Sequence, residues 1–104
     1  MRRALALLAI VFGAAACGEP APPDPLAQRG RQVYLSHCIA CHAPDPAQAG
    51  PLGPPVKGSS RELLEAKIVK GTYPPGYRPK RPTAVMPVQP GAVGEIAALA
   101  EFLK

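Results

Sequence analysis

Five residues in the first half of the chain carry its strongest chemical signal. Cys38, Cys41 and His42 form the pattern C-x-x-C-H, with Ile39 and Ala40 between the cysteines. This pattern is typical of the attachment site of a c-type haem. Residues three and four positions apart share one face of a helix. The two thiols can therefore bond to vinyl groups along one edge of a porphyrin while the imidazole reaches the iron.

Other uses of a C-x-x-C pair fit the surrounding sequence less well. A redox pair of the thioredoxin type needs a βαβ context, and no strand-rich run flanks Cys38 and Cys41. A structural zinc site needs four ligands, and the only candidates nearby are Cys38, Cys41, His42 and His37, with no second cysteine pair. A disulfide between the cysteines would be incidental. The pattern therefore favours covalent haem, with iron as the metal.

The composition indicates a small domain that depends on a bound group. The chain has 104 residues, of which 15 are prolines and 10 are glycines. A sparse apolar core rarely holds a small fold without a staple, a metal or a cofactor. The composition excludes a large self-contained enzyme and a long coiled coil. It leaves either a disordered chain or a small domain built around a group that is not in the sequence.

The charge gives no support to nucleic-acid binding. The formal net charge is +5, and Arg2 and Arg3 at the N-terminus contribute two of these charges. Proteins that bind single strands need stacking aromatics in a basic groove, whereas the three tyrosines and two phenylalanines here are scattered. A modest positive charge favours redox partners with an acidic docking patch instead.

The first residues predict an export signal. Arg2 and Arg3 precede an apolar run at residues 4–16, which is shorter than the about 20 residues that span a bilayer as a helix. The run ends in three alanines before Cys17, so we expect residues 1–16 to be a signal peptide.

Cys17 has two interpretations. Ala-Ala-Ala-Cys resembles a bacterial lipobox, although the commonest form has leucine three residues before the cysteine. An odd number of cysteines leaves Cys17 free for acylation, which we favour. The alternative is ordinary cleavage, with Cys17 as an incidental thiol. Residues 17–25 then form a Pro-rich tether to a membrane, and residues 26–104 form the domain.

Apolar periodicity in the domain predicts short helices and no strands. A first helix carries Leu26, Val33, Tyr34 and His37 at helical spacing, with Gly30 on the same face. Because no stretch alternates as a strand does, the expected fold class is all-α.

Two further helices follow in the second half of the chain. Ser59 and Glu62 predict a capping box, which opens a helix that continues through Ile68 and ends near Gly71. Pro90-Gly91 precedes a last helix whose apolar face consists of Ile96, Leu99, Ala100 and Leu103.

These features resemble the small class I cytochromes c over residues 26–104. The matching positions are Gly30 and Tyr34, the segment Gly-Pro-Pro-Val-Lys-Gly at residues 53–58, Met86 and Pro87, and Leu99, Phe102 and Leu103. Val56 departs from the usual leucine, and residues 71–90 are unusually rich in proline. The resemblance implies N- and C-terminal helices that cross, with loops wrapped around covalent haem.

The resemblance also implies the axial ligands of the iron. His42 would bind from one side, and Met86, the only methionine after the predicted signal peptide, from the other. Such Met/His ligation raises the reduction potential and suits electron transfer. His37 adjoins Cys38 and cannot reach the far face of the haem, so we expect it to be a helix-surface residue.

The same resemblance implies which residues orient His42 and which are available to bind the haem propionates. The carbonyl of Pro54 would accept a hydrogen bond from His42 and orient its ring, with Pro51 as a less well spaced candidate. The haem propionates need hydrogen-bond or charged partners if they are buried. The candidates for this role are Tyr73, Tyr77, Arg78 and Arg81, in a loop that also contains Lys80.

Together these interpretations predict an exported one-electron carrier that turns over no substrate and is not an enzyme. It would cycle between Fe(III) and Fe(II) in a membrane-tethered electron-transfer chain and pass electrons to a terminal oxidase or an exported oxidoreductase. The alternative is a haem c subunit that accepts electrons inside an exported oxidoreductase complex. A third hypothesis is a gas-binding or peroxidatic haem protein, in which Met86 would be a labile ligand.

Overall fold

The structure, a computed structural model, describes residues 24–83 and 85–104, together with Gly13 and Gly18. The predicted signal peptide, Cys17 and most of the tether lie outside the described residues. Within them the chain is helical, without strands. The elements are α1 (Pro25–His37), α2 (Arg61–Glu65), a π-helix (Ala66–Lys70), a 3₁₀ helix (Pro90–Glu95) and α3 (Ile96–Phe102). In the described part of the chain, no helix is long and apolar enough to cross a membrane.

Local sequence explains where α1 begins. The Asp24 side chain accepts a hydrogen bond from the Leu26 backbone N–H at 3.0 Å, which satisfies one of the free amides of the first turn. Pro25 occupies the first helical position, where its missing N–H costs nothing. One face of α1, formed by Gly30, Val33 and Tyr34, is buried.

The second helix begins one residue later than the capping prediction places it. Ser60, not Ser59, is the N-cap, and its hydroxyl accepts a hydrogen bond from the Leu63 N–H at 3.1 Å. The Ser59 hydroxyl is instead used in the preceding turn, where it donates to the Val56 carbonyl. The predicted capping box at Ser59 and Glu62 is therefore wrong, although a serine does cap the helix.

This helix also changes its geometry before it ends. After Glu65 the backbone continues as the π-helix Ala66–Lys70, in which Ala66 and Ile68 are buried. The segment stops at Gly71, whose φ of 68° lies in the left-handed region that glycine adopts readily. The predicted end near Gly71 is thus confirmed.

The last helix starts with a tighter turn than the sequence indicates. Residues Pro90–Glu95 form a 3₁₀ helix that leads directly into α3. Ala92 in this turn is fully buried, so the turn packs against the core.

The crossing of α1 and α3 forms the centre of the fold and is the largest contact between elements. Gly30 makes this approach possible, because a Cβ at this position would lie less than 3 Å from the Ala98 backbone and from Phe102. The Tyr34 ring packs against the Phe102 ring with 5.5 Å between centroids. Leu99 is also buried here. The predicted crossing of the N- and C-terminal helices is confirmed.

Candidate haem-binding site

The C-x-x-C-H residues lie on a helical turn that continues beyond α1. The Cys38 N–H donates to the Tyr34 carbonyl at 2.9 Å, and the His42 N–H donates to the Cys38 carbonyl at 2.9 Å. His42 therefore lies one helical turn after Cys38. This places both side chains on one face of the chain, as the sequence spacing predicts.

The His42 ring is buried and held by the backbone. Its Nδ1 lies 2.9 Å from the Pro54 carbonyl oxygen. Because a carbonyl can only accept, Nδ1 carries the proton and donates it to this bond. Nε2 is then the nitrogen that keeps a lone pair for a metal. The contact involves Pro54, not the alternative Pro51.

Gly53 provides the space that the His42 ring occupies. A Cβ at Gly53 would lie less than 3 Å from three atoms of the ring. The Gly53 N–H donates to the Cys41 carbonyl at 2.8 Å, and its own carbonyl accepts from the Gly50 N–H at 2.9 Å. This role of Gly53 is not predicted from the sequence, although the Gly-Pro pair is a signal of a tight backbone approach.

One cavity of about 360 Å³ joins the predicted site residues. This volume is within the range of about 300–1,000 Å³ that small ligands and cofactors occupy. The predicted site residues that line it are Cys38, Cys41, His42, Pro54, Tyr73, Tyr77, Arg81 and Met86. Arg78 is exposed and does not line this cavity.

Two tyrosines stack on one wall of the cavity. The Tyr73 and Tyr77 rings lie 5.4 Å apart between centroids, with 14° between their planes. The Lys67 ammonium lies 4.2 Å from the centre of the Tyr73 ring, which is a cation–π contact. The position of Lys67 at the cavity is not predicted from the sequence, because its proximity to Tyr73 depends on the π-helix and on the turn at Gly71.

Met86 and His37 differ in their placement. Met86 is partly buried, packs against the core and lines the cavity. His37 is exposed at the end of α1, and a Cβ on Gly91 would lie 2.7 Å from its ring. His37 is thus a helix-surface residue beside Cys38, at the edge of the same cavity.

Comparison with known proteins identifies the family. The model of the family described as Cytochrome c matches residues 27–104. The chain belongs to the cytochrome c family. No curated protein and no solved structure gives a significant match. Membership establishes covalent haem c with iron as the cofactor and makes the protein a haem c electron carrier.

The lining of the cavity in this cytochrome c fits a haem in both polarity and charge. Large apolar side chains form much of its wall, including Leu64, Ile68 and Leu99. Its cationic side chains are Lys67, Lys80 and Arg81, and no Asp or Glu is among the described residues that line it. An apolar macrocycle with two carboxylates needs this combination of surfaces.

Burial changes the acidity of the Cys38 thiol before haem attachment. Both Cys38 and Cys41 are half-buried free thiols. Burial raises the pKa of the Cys38 thiol to about 11, so at neutral pH it is protonated.

Among the described residues, no group of three or more His, Cys, Asp or Glu side chains could hold a metal ion. This part of the chain therefore offers nothing in favour of the zinc interpretation.

Tyr34 fixes the chain immediately after His42. Its hydroxyl donates to the Ala43 carbonyl at 2.5 Å, and the residue is 1% exposed. Burial raises the pKa of Tyr34 to about 12, and the negative charge of Asp45 contributes in the same direction. The phenol is therefore neutral at physiological pH and available as a donor.

Proposed function

We propose that this cytochrome c is an exported, membrane-tethered one-electron carrier with Met/His-ligated iron. The observation that carries the proposal is the 2.9 Å contact from His42 Nδ1 to the Pro54 carbonyl, within a C-x-x-C-H pattern. This contact leaves Nε2 for the iron, and Met86 lines the same cavity. With haem bound, His42 and Met86 would both be ligands of its iron, which favours electron transfer over substrate binding.

Each residue of the site has a distinct task in this proposal. Cys38 and Cys41 hold the haem through thioether bonds, and His42 and Met86 bind its iron. Tyr73, Tyr77 and Arg81 are the proposed partners of the propionates, because they line the cavity. When bound, the haem supplies the one-electron Fe(III)/Fe(II) couple. The chain holds it, excludes water from it and sets its potential.

The visible spectrum of the purified protein tests the proposal. We expect the reduced form to show the bands of a low-spin c-type haem, and the oxidised form to show the weak far-red band of a sulfur–iron bond. After acid denaturation and extraction with organic solvent, the colour should stay with the polypeptide. Colour in the organic phase would refute covalent attachment, and a missing far-red band would refute methionine ligation.

The membrane tether is supported by the sequence around Cys17. The small residues before Cys17 and the odd number of cysteines favour acylation of its thiol. Intact mass measurement on the native protein should then show an addition the size of a diacylglycerol, and Cys17→Ser should release the domain into the soluble exported fraction. A mass equal to bare polypeptide plus haem would contradict the tether.

The proposed partner is a redox protein with an acidic docking patch. Lys67, Lys80 and Arg81 at the cavity support this charge preference. Electron transfer to a candidate terminal oxidase should slow as salt rises, because the screening length at 0.15 M is about 8 Å. A rate that is flat or rises with salt would reject electrostatic docking. Stable co-purification with an exported oxidoreductase would favour the role of a complex subunit.

A further inference from the structure

The segment that carries Met86 has few connections to the rest of the protein. This segment, residues 71–89, is called the strap here. Its ends are fixed by hydrogen bonds from the Thr72 N–H to the Ala66 carbonyl and from the Gln89 N–H to the Ile68 carbonyl, both 2.9 Å. Between these ends, among the described residues, only Lys80 and Arg81 donate hydrogen bonds to another segment.

Both side chains reach the loop that orients His42. Lys80 Nζ donates to the Pro55 carbonyl at 2.7 Å, and Arg81 Nη2 donates to the Gly53 carbonyl at 3.3 Å. The carbonyl between them, that of Pro54, accepts the bond from His42 Nδ1. Three consecutive carbonyls of one loop thus bind His42 and two cations of the strap.

We propose that Lys80 and Arg81 form a latch that positions Met86. The two cations tie the strap to the loop at residues 53–55, whose central carbonyl positions His42. They would thereby fix the distance between the two ligand-bearing segments. The inference rests on the proposed function, because it takes Met86 as the ligand opposite His42. Lys80 and Arg81 are positioning residues, since they act through Met86 and do not themselves bind iron.

Loss of the latch should let the strap move without changing the loop that positions His42. Charged donors make stronger hydrogen bonds than neutral ones, so removal of two of them increases the population in which Met86 is displaced. An external ligand binds in proportion to that population. We therefore expect imidazole to bind the oxidised protein about tenfold more tightly when both bonds are lost.

The test compares variants of the haem-loaded protein with matched controls. The double variant Lys80→Met/Arg81→Gln removes both charged donors. The control Lys57→Met/Arg78→Gln removes the same charges from two residues outside the latch, because Lys57 Nζ donates to the Lys104 carbonyl at 2.9 Å and Arg78, although in the strap, is exposed. The exchange Lys80→Arg/Arg81→Lys keeps a cationic donor at both positions. Imidazole titration, the far-red band and the reduction potential are measured for each.

The expected result is tighter imidazole binding in the double variant alone, with binding restored towards wild type by the exchange. An affinity within twofold of the control overturns the latch. A shifted potential without a change in imidazole affinity also overturns it, and would assign Arg81 to the propionates only. If wild type lacks the far-red band, the proposed function fails and the latch fails with it. Should the double variant not fold, Lys80→Met alone carries the same comparison with Lys57→Met.

Discussion

The haem site has two sides, the proximal side around His42 and the side around Met86. They are held in place by different kinds of contact. On the proximal side the backbone bonds to itself: the Leu52 and Gly53 N–H groups both donate to the Cys41 carbonyl, and the Val56 and Lys57 N–H groups both donate to the Pro46 carbonyl. The strap contains five prolines, which lack the N–H that such a network needs. Its connections to the proximal loop come from side chains.

This difference indicates how each of the two proposed iron ligands is held in place. His42 is placed by a folded loop whose backbone groups are paired, so its position is inseparable from folding. Met86 is placed by a stiff chain that is fixed at its ends and tied by two cations. Changes on the proximal side should therefore affect folding, whereas changes in the strap should affect ligation and leave the fold intact.

The largest effect is expected from Gly53→Ala on the proximal side. The new Cβ would overlap the His42 ring, so the ring or the loop must move. Such overpacking costs about 1–3 kcal/mol and occasionally more, and we expect the upper end together with a lower yield of haem-loaded protein. Denaturant unfolding measures the change. The control is Gly94→Ala, because nothing lies within 4 Å of a Cβ there. Equal stability of the two variants would contradict the proximal half of the comparison.

In the strap, Met86→Ala should change ligation more than stability. Buried Met→Ala changes cost about 2–5 kcal/mol, and because Met86 is only partly buried we expect about 2 kcal/mol or less. Haem should stay attached, the far-red band should disappear and the potential should fall. Val85→Ala in the neighbouring residue, 70% exposed, is the control and should keep the band. An unchanged spectrum in Met86→Ala would show that another residue is the ligand.

The features that the sequence predicts correctly are those that depend on contacts within a single segment. Helical spacing correctly predicted α1 with Gly30 on its buried face, because that periodicity is a property of a single segment. The C-x-x-C-H pattern placed Cys38 and His42 on one turn for the same reason. Pro54 was identified through family resemblance, and the structure supplies its contact with His42.

The features that sequence alone did not reveal depend on contacts between distant segments or on small differences in energy. Two adjacent serines could each cap α2, and the preceding turn decides in favour of Ser60 by using Ser59. Nothing in the residue pattern distinguishes the π-helix from a continued α-helix. The bonds from Lys80 and Arg81 join segments 25 and 28 residues apart, which no periodicity indicates.

Tyr34→Phe tests a single hydrogen bond on the proximal side and should have a smaller effect. It removes the hydrogen bond to the Ala43 carbonyl, and we expect a loss of about 1 kcal/mol at neutral pH. Because burial raises the pKa of Tyr34 to about 12 from 10.0, the neutral phenol stabilises the fold fully below pH 10. That contribution is lost as the pH rises through 12.

The alkaline range therefore distinguishes wild type from this variant. Wild type should lose stability between pH 10 and pH 12 more steeply than Tyr34→Phe, since only wild type ionises this phenol. Denaturant unfolding of both proteins across that range measures the difference in slope. Parallel curves for wild type and Tyr34→Phe would exclude this linkage.

The smallest effect is expected from an ion pair that belongs to neither side of the site. Arg29 on α1 donates to the Glu95 carboxylate at the start of α3, and the Arg29 side chain is 57% exposed. The hydrogen bond from Arg29 lowers the pKa of Glu95 below its usual 4.5. The ion pair therefore stabilises the fold above pH 4.5, and this stabilisation is lost as the pH falls through the lowered pKa of Glu95.

Glu95→Gln should reduce the melting temperature slightly at neutral pH and low salt. The reduction should shrink at high salt, because exposed ion pairs are screened, and also at low pH, where wild type loses the pair as well. Glu101→Gln is the matched control, since among the described residues Glu101 pairs with the nearby Lys104 alone, at 2.6 Å. A pair that joins α1 to α3 holds the helix crossing, whereas a pair within the last turn holds only that turn. Glu95→Gln should thus lower the melting temperature more than Glu101→Gln, and the reverse order would show that Arg29 and Glu95 do not stabilise the crossing.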